Sequence, residues 1–304
     1  MRADPTYFNT VVLSLNNAMK NSNDLAAELS SGLRVGQLSD DPAAATQSLR
    51  LDGQISAIDT YVQTASNVSS RLQMMDSTLG EVVSQVTSAI SLAVGAANGT
   101  LNGANLQTIS QQVAAIRDNV LALANTSYQG SYLFSGSKGD TAPFTLDTTG
   151  TPAVATYNGD GNVQTIATPG GQKIQTSLPG STVFGSTVFG SGGTSVLGVL
   201  NQLVADLTGG APTANISADS SALTDALGNL STQRSSLNSS LSTVESTSMY
   251  AQTQGAQIKV QQGQMVSSDP AKVATDLKAN QTQYQALLSV ITALQQDNLF
   301  SHLR

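Results

Sequence analysis

Two adjacent carboxylates, Asp40 and Asp41, are the main candidates for chemical activity in this sequence. A carboxylate pair can carry out acid–base work or hold a metal ion. Catalysis would need a further acid or a histidine placed by spacing to assist, and the sequence places none there. Asp41 precedes Pro42, and Asp-Pro is a favoured start of an α-helix, with the aspartate as N-cap and the proline as first helical residue. We therefore predict that Asp41 caps a helix, and that Asp40 adds a charge favoured by the helix dipole.

The same device occurs again near the C-terminus. Asp269 precedes Pro270 in the stretch "SSDPAKVA", which predicts a second helix capped in the same way. Two helices that begin alike favour capping over catalysis for both aspartates.

The remaining chemical candidates are weak. The single histidine, His302, is third from the end, where an exposed bystander is expected. The stretch "NGDGN" (158–162) resembles part of a calcium loop but lacks the later glutamate, so a hairpin turn is predicted. The chain has no cysteine, which excludes disulfides, thiolate catalysis and cysteine-bound metals. We predict no catalytic, cofactor-binding or metal-binding residues, and no enzyme.

Composition limits the possible partners. The net charge is -7, and the 13 lysines and arginines are scattered, which argues against nucleic acid. Aromatic residues make up 4% of the chain and tryptophan is absent, so thin helical rods suit it better than a thick core. We find no apolar run long enough for membrane insertion and no cleavable secretory signal, so export without a cleaved peptide is one expectation.

Helical periodicity dominates both ends of the sequence. Near the N-terminus, apolar or small residues recur in alternating steps of four and three, the spacing of a coiled-coil seam. This first seam runs through Phe8, Val12, Leu15, Met19, Ser22, Ala26, Leu29 and Leu33. A second seam predicts a helix over 42–97, which would be a rod of roughly 80 Å. Its positions are Leu51, Ile55, Ile58, Val62, Ala65, Val68, Leu72, Met75, Leu79, Val82, Val86 and Ile90.

The middle of the chain has a different pattern. A third helical seam continues to Ser127, and from residue 131 to about 194 the chain is rich in Gly, Thr, Ser and Pro with short alternating segments, which indicates a small β-rich domain. Helical periodicity then returns. The seam of the final helix runs through Val273, Leu277, Asn280, Tyr284, Leu287, Ile291 and Leu294.

The predicted fold is therefore mainly α, with long coiled-coil-like helices from both termini forming a rod and a small β-rich domain inserted in the middle. Five segments are predicted: 1–41, an axial helix and linker; 42–130, rod helices; 131–194, the β-rich insertion; 195–268, returning rod helices; and 269–304, a second axial helix. The seams are narrow and interrupted by small and polar residues. The terminal helices could pair with each other, or they could order only on assembly with other subunits, which we favour.

Both ends of the sequence resemble the bacterial flagellin family. The N-terminal resemblance lies in "LSSGLRVGQLSDDPAAA", and the C-terminal one in "LKANQTQYQALLSVITALQQDNLFSHLR". A third stretch, "YQGSYLFSGSKGDTAPF" (128–144), is similar to the hook-associated branch of the family rather than to filament flagellin. Val35-Gly36-Gln37 departs from the triplet usual in the family.

The resemblance implies a structural adaptor rather than an enzyme. Similar proteins have paired terminal helices in an axial core and an outward β-rich domain. They are exported without a cleaved signal and assemble outside the cell as a ring at the hook–filament junction. The implied partners are copies of itself, hook-associated protein 1, flagellin and a cytoplasmic export chaperone that binds the C-terminal segment.

Candidate assembly residues follow from the seams and the linker. They are Leu15, Met19, Leu29, Arg34, Asp40, Asp41, Leu277, Tyr284, Leu287, Ile291 and Leu294. Two other functions stay open: a filament-forming flagellin, which would be present in far more copies, and a surface adhesin that displays the β-rich domain.

Overall fold

A computed structural model describes residues 5–147, 149, 154–185 and 195–302. Its seven helices and six strands, in the described ranges, confirm a mainly α fold with a small β-rich insertion. The helices are α1 (Pro5–Ser31), α2 (Pro42–Ala97), α3 (Gly103–Ala124), α4 (Gly180–Val183), α5 (Val196–Gly209), α6 (Thr213–Val266) and α7 (Pro270–His302). The strands are β1 (Ser127–Tyr128), β2 (Ser131–Tyr132), β3 (Phe144–Asp147), β4 (Val154–Tyr157), β5 (Thr165–Ala167) and β6 (Lys173–Gln175).

The chain forms two compact units. The first unit combines Met1–Ala57 with Thr253–Arg304, so it contains α1, α7, the beginning of α2 and the end of α6. The second unit, Ile58–Gln252, contains the rest of α2 and α6 together with everything between them. The five segments predicted from the sequence are a finer division and stay a prediction.

In the first unit, α1 packs along α7. This is the intramolecular pairing, the less favoured of the two alternatives that the sequence left open. Asn280 of α7 donates a hydrogen bond from Nδ2 to the main-chain oxygen of Ala18, at 2.9 Å. A polar side chain in a narrow seam must find such a partner, because an unpaired buried amide costs free energy.

In the second unit, α2 and α6 share a stripe of buried apolar residues. On α2 the predicted seam is largely confirmed, since Leu72, Met75, Leu79, Val82 and Val86 are fully buried. Tyr61 is a position that the pattern missed. Tyr61 is buried although Val62 was the predicted seam residue. Its hydroxyl lies 2.7 Å from the hydroxyl of Thr247 on α6, so its polar end has a partner there.

The β-rich insertion consists of three antiparallel strand pairs, β1–β2, β3–β4 and β5–β6. They surround a small aromatic cluster. The ring of Phe184 lies 5.3 Å from that of Phe134 and 5.6 Å from that of Phe144, both edge to face. Because the chain has few large side chains, these three aromatic rings, packed edge to face, supply much of this domain's apolar core.

Three sequence predictions about the ends of helices and the pairing of strands are wrong. Ser127, the last seam position of the third helix, lies in β1, because α3 ends at Ala124. Leu33, the last seam position of the first helix, lies beyond α1 in an isolated bridge to Ser267. The "NGDG" stretch does not form a hairpin, since β4 before it pairs with β3, and β5 after it pairs with β6.

The loop that contains "NGDGN" is held by Asp160 instead. The carboxylate of Asp160 accepts hydrogen bonds from the main-chain and side-chain groups of Ser137 and Asn162. Hydrogen bonds from Ser137 and then from Asn162 lower the pKa of Asp160 to about 2. The carboxylate thus connects the 135–137 loop to the segment after β4 by hydrogen bonds. A local turn pattern does not indicate such a long-range contact. The sequence also contains a five-residue unit that occurs twice, "STVFGSTVFG" (181–190), and its second copy lies outside the described residues.

Candidate assembly surface

The linker between α1 and α2 is fixed against the turn between α6 and α7. Gly32 ends α1 with a φ of 70°, a left-handed conformation that favours glycine, and its main-chain N–H bonds the oxygen of Glu28. The main-chain N–H of Ser268 then donates to the oxygen of Gly32 at 2.9 Å. Side chains repeat the contact, because the hydroxyl of Ser268 donates to Oε1 of Glu28 at 2.8 Å. These ties hold the end of α1 beside the start of α7.

We call the linker between α1 and α2, together with the turn between α6 and α7, the joint. Arg34 connects the linker to the end of α6 and to the start of α2. Its main-chain N–H donates to the oxygen of Val266 at 2.8 Å, and its Nη2 donates to the oxygen of Met265 at 2.9 Å. Its Nη1 lies 3.3 Å from Oδ2 of Asp41. The structure thus places the guanidinium of Arg34 at the C-terminal carbonyls of α6, where the helix dipole favours a cation.

Asp41 caps α2 as predicted. Its Oδ1 accepts a hydrogen bond from the main-chain N–H of Ala44 at 3.1 Å. The pKa of Asp41 is lowered, first by the Ala44 N–H and further by the Arg34 guanidinium. Asp269 caps α7 in the same way, with Oδ1 accepting from the N–H groups of Ala271 and Lys272 at 3.0 and 3.3 Å.

Asp40 has a role beyond the one predicted. Its Oδ2 accepts hydrogen bonds from the main-chain N–H groups of Gly36 and Gln37, at 3.0 and 2.8 Å. It therefore closes the linker turn, a role additional to the predicted interaction with the dipole of α2. Both aspartates are engaged with backbone donors, which is a structural use of the pair. In the described part of the chain, no group of three or more His, Cys, Asp or Glu side chains could hold a metal ion.

The inner face of α7 coincides with its predicted seam. Val273 is buried, and Leu277, Asn280, Tyr284, Leu287 and Ile291 are each half-buried. Leu294 belongs to the same helix, but side chains beyond Ala293 lie outside the described part, as does the side chain of His302.

The inner face of α1 differs from its predicted seam. Val11 and Ala18 are buried, and Leu15 and Ser22 are half-buried. Met19 and Leu29, both predicted seam positions, remain 46% and 40% exposed. Alternating steps of four and three are compatible with more than one face of a helix. In α1 the buried face contains the small side chains of Val11 and Ala18, which allow α1 and α7 to approach closely.

Apolar side chains consequently lie on the outer surface of the α1–α7 pair. We call the exposed residues Leu13, Met19, Leu29, Leu288 and Val290 the outer apolar surface. These five residues lie on two adjacent helices, at several angles around each helix, so that more than one side of the pair exposes apolar side chains. The sequence selected Met19 and Leu29 and missed the other three, since they stand outside the seam.

One described helix is long and apolar enough to cross a membrane by composition, namely Pro42–Ala97, with an 18-residue window of mean hydropathy 1.3. Much of its stripe from Leu72 to Ala96 is buried inside the second unit. Core helices pass the same test, so this finding does not favour membrane insertion.

The comparisons with known proteins agree with the arrangement of the helices. The bacterial flagellin N-terminal helical region matches residues 8–139, and the bacterial flagellin C-terminal helical region matches residues 221–303. These matches take in α1 to α3 at one end and most of α6 and α7 at the other.

Two curated relatives are named flagellar hook-associated protein 3. The protein from Escherichia coli strain K12 is 27% identical over 38% of this chain and 37% of its own length. The protein from Salmonella typhimurium strain LT2 is 27% identical over 41% of this chain and 40% of its own length. The matched part thus spans about two fifths of these relatives.

The fold is also similar to a solved structure. Flagellar hook-associated protein-3 from Legionella pneumophila superposes with a TM-score of 0.62 at 14% identity, over 71% of this chain and 98% of that one. With both helical regions matched in the order and position that the fold requires, the chain belongs to the bacterial flagellin family.

Proposed function

We propose that this chain is a structural adaptor of the bacterial flagellum that assembles as a ring at the hook–filament junction, outside the cell. The observation that carries the proposal is the outer apolar surface, which stays exposed after α1 and α7 have paired. Burial of apolar area drives most protein association, so these residues are suited to contact a neighbouring subunit. The two relatives named flagellar hook-associated protein 3 support a junction position.

The contacts of the adaptor follow from this proposal. Copies of the chain would pack side by side through α1 and α7, and heterologous contacts of this kind give a ring where the rotation closes. Hook-associated protein 1 would lie on the hook side and flagellin on the filament side. Before export, a cytoplasmic chaperone would hold the C-terminal segment, whose apolar residues would otherwise be exposed. The adaptor needs no catalytic activity, and none is part of the proposal.

The joint has a clear role in such an assembly. Arg34, Asp40 and Asp41 fix the path of the linker through main-chain groups of residues 36–44 and 265–266. A fixed linker keeps the end of α1 and the start of α7 together, so that the exposed residues of both helices keep fixed positions for a neighbouring subunit. The hypothesis that Leu15, Leu277, Tyr284, Leu287, Ile291 and Leu294 contribute to assembly then becomes indirect, because those described among them line the inside of the α1–α7 pair.

The experiment uses a strain that lacks this chain and is complemented with variants. Met19→Glu combined with Leu29→Glu places two charges on the outer apolar surface and none in the α1–α7 contact. We expect a normal circular dichroism spectrum, hooks without attached filaments in electron micrographs, and flagellin released into the medium. Val94→Glu, at an equally exposed apolar position of the second unit, is the matched control and should keep attached filaments.

The possible failures are distinguishable. Attached filaments in the strain that lacks the chain altogether would refute the junction function. Filament loss in that strain but not in the Met19→Glu/Leu29→Glu strain would keep the function and refute the assignment of the surface. Filament flagellin is the second candidate, because the two family models describe flagellins in general. Quantitative mass spectrometry of purified flagella separates the two, since a filament subunit would be the most abundant protein and a ring subunit a minor one.

A further inference from the structure

The pairing of α2 with α6 in the second unit has a repeating apolar seam. On α6, Leu223, Leu230, Leu237, Val244 and Ala251 are buried at intervals of seven residues. On α2, the buried residues Ile58, Ala65, Leu72, Leu79, Val86 and Ala93 follow the same interval. A strict heptad repeat packs almost as well after a slip of seven residues, because apolar residues again meet apolar residues. The apolar seam by itself therefore specifies the register of the two helices poorly.

One charged pair interrupts this seam. Arg234 occupies a seam position between Leu230 and Leu237, and its Nε and Nη2 donate to the two carboxylate oxygens of Asp76 at 2.8 and 3.0 Å. Asn238 donates from Nδ2 to Oδ1 of Asp76 at 3.2 Å. The side chains of Arg234 and Asp76 keep only a third and a quarter of their surface exposed. Two parallel hydrogen bonds fix the position of one helix along the other more tightly than a single contact would.

A glycine on α2 leaves space for the guanidinium of Arg234. A Cβ added to Gly80, one turn after Asp76, would lie 3.5 Å from Nη2 of Arg234, so the guanidinium lies directly on the backbone of α2. The hydrogen bonds from Arg234 lower the pKa of Asp76, and those to Asp76 raise the pKa of Arg234. Both groups are charged over the whole physiological range of pH.

A slip of seven residues would separate the charges. Because the helices run antiparallel, Asp76 would then face Leu227 or Leu241 instead of Arg234. Arg234 would face Ser69 or Val83. None of these four side chains can neutralise a charge, and a half-buried charge without a partner is strongly unfavourable. The ion pair thus penalises slipped registers that the apolar seam would tolerate.

We propose that the Asp76–Arg234 pair, assisted by Asn238, specifies the register of α2 against α6. Its principal contribution is the choice among alternative alignments rather than the strength of the pairing, as a buried polar residue does in a coiled coil. This inference concerns the fold of the second unit and does not depend on the junction function.

The test measures register directly in the full chain. Because the chain has no cysteine, Ser66→Cys and Ser231→Cys introduce two unique sites for spin labels, both exposed, one on each helix. The parent should give one narrow distance distribution by double electron–electron resonance. Asp76→Leu combined with Arg234→Met removes the charges but keeps apolar packing. We expect this variant to stay helical and to show a second population shifted by up to about 10 Å, the length of seven helical residues.

Reversal of the charges is the rescue variant. Asp76→Arg alone sets two arginines against each other and should lose the parental distance, whereas Asp76→Arg with Arg234→Asp should restore it. Thr247→Val removes the hydrogen bond to Tyr61 and should keep a single distance, since that bond carries no charge. A single parental distance in the Asp76→Leu/Arg234→Met variant would overturn the proposal. If that variant does not fold, failure of the reversed pair to restore the parental distance would overturn it.

Discussion

At the scale of the residue, the most unusual titratable group is Asp219 of α6. Its side chain is buried, and its Oδ2 has no hydrogen-bond partner among the described residues. Burial, together with the neighbouring carboxylate of Asp206 on α5, raises the pKa of Asp219 to about 7. The folded chain therefore keeps a proton that the unfolded chain releases near pH 3.8, the ordinary value. The protonated carboxyl of Asp219 therefore adds to the free energy of unfolding. This addition is fully present below pH 3.8 and is lost as the pH rises to about 7.

We expect Asp219→Asn to be more stable than the parent at pH 8, because the amide removes the charge that the site cannot accommodate. The parent should lose stability between about pH 4 and 7 with a slope of up to about 1.4 kcal/mol per pH unit from this group. Urea unfolding at a series of pH values measures both effects. Asp225→Asn, at an exposed position of the same helix, is the control and should follow the parent. Equal pH dependence in all three proteins would contradict the assignment.

A second residue-scale prediction concerns Gln129, which has a φ of 51° in the turn between β1 and β2. A residue with a Cβ in this left-handed conformation costs about 1 kcal/mol relative to glycine. Gln129→Gly should therefore stabilise the second unit by about 0.5–1 kcal/mol, measured by thermal unfolding. Gln129→Ala keeps the Cβ and removes the rest of the side chain, so it should bring no gain. An equal gain from alanine would show that the backbone conformation is not the cause.

At the scale of the element, the long helices contain glycines that packing does not require. Gly53 in α2 and Gly228 in α6 are exposed, and a Cβ added to either would meet nothing within 4 Å. Gly53→Ala and Gly228→Ala should each stabilise the chain by about 0.5–1 kcal/mol, the helix preference of alanine over glycine. Gly210 is the contrasting control. It follows α5 with a φ of 66°, so that Gly210→Ala should destabilise the chain by about 1 kcal/mol. Thermal unfolding of the three variants checks the signs, and a gain at Gly210 would refute the conformational argument.

The helix ends show how far local sequence determines an element. Asp-Pro predicted the starts of α2 and α7, and both aspartates cap as expected. The end of α3 was placed too late. Its seam pattern continues to Ser127, but Asn125 turns the chain, with its side chain exchanging two hydrogen bonds with the main chain of Phe144. A partner 19 residues away decided that boundary, and no periodicity within the helix could indicate it.

At the scale of the whole molecule, the two units have separate cores. The second unit, Ile58–Gln252, contains the aromatic cluster, the α3–α5 contact, and the buried apolar residues of α2 and α6. A fragment of residues 58–252 should therefore fold by itself and unfold in one cooperative transition, monitored by circular dichroism. The control is the same fragment with Leu72→Ala, a fully buried position, which should lose about 2–5 kcal/mol. A fragment with no cooperative transition would show that the terminal helices are required for the fold.

By itself, the sequence determined the order of the elements, the starts of α2 and α7, the seams of these two helices, and the class of the protein. These features depend on neighbouring residues, whose spacing and capping preferences are local. The tertiary structure decided which stripe of α1 faces α7, which strands pair around "NGDGN", and that Arg34 binds the end of α6. It also gave Asp76 and Arg234 one alignment among several that the heptads permit. Such choices depend on residues distant in the chain. A periodic pattern identifies a helix and its apolar face, but it does not identify the element that packs against that face.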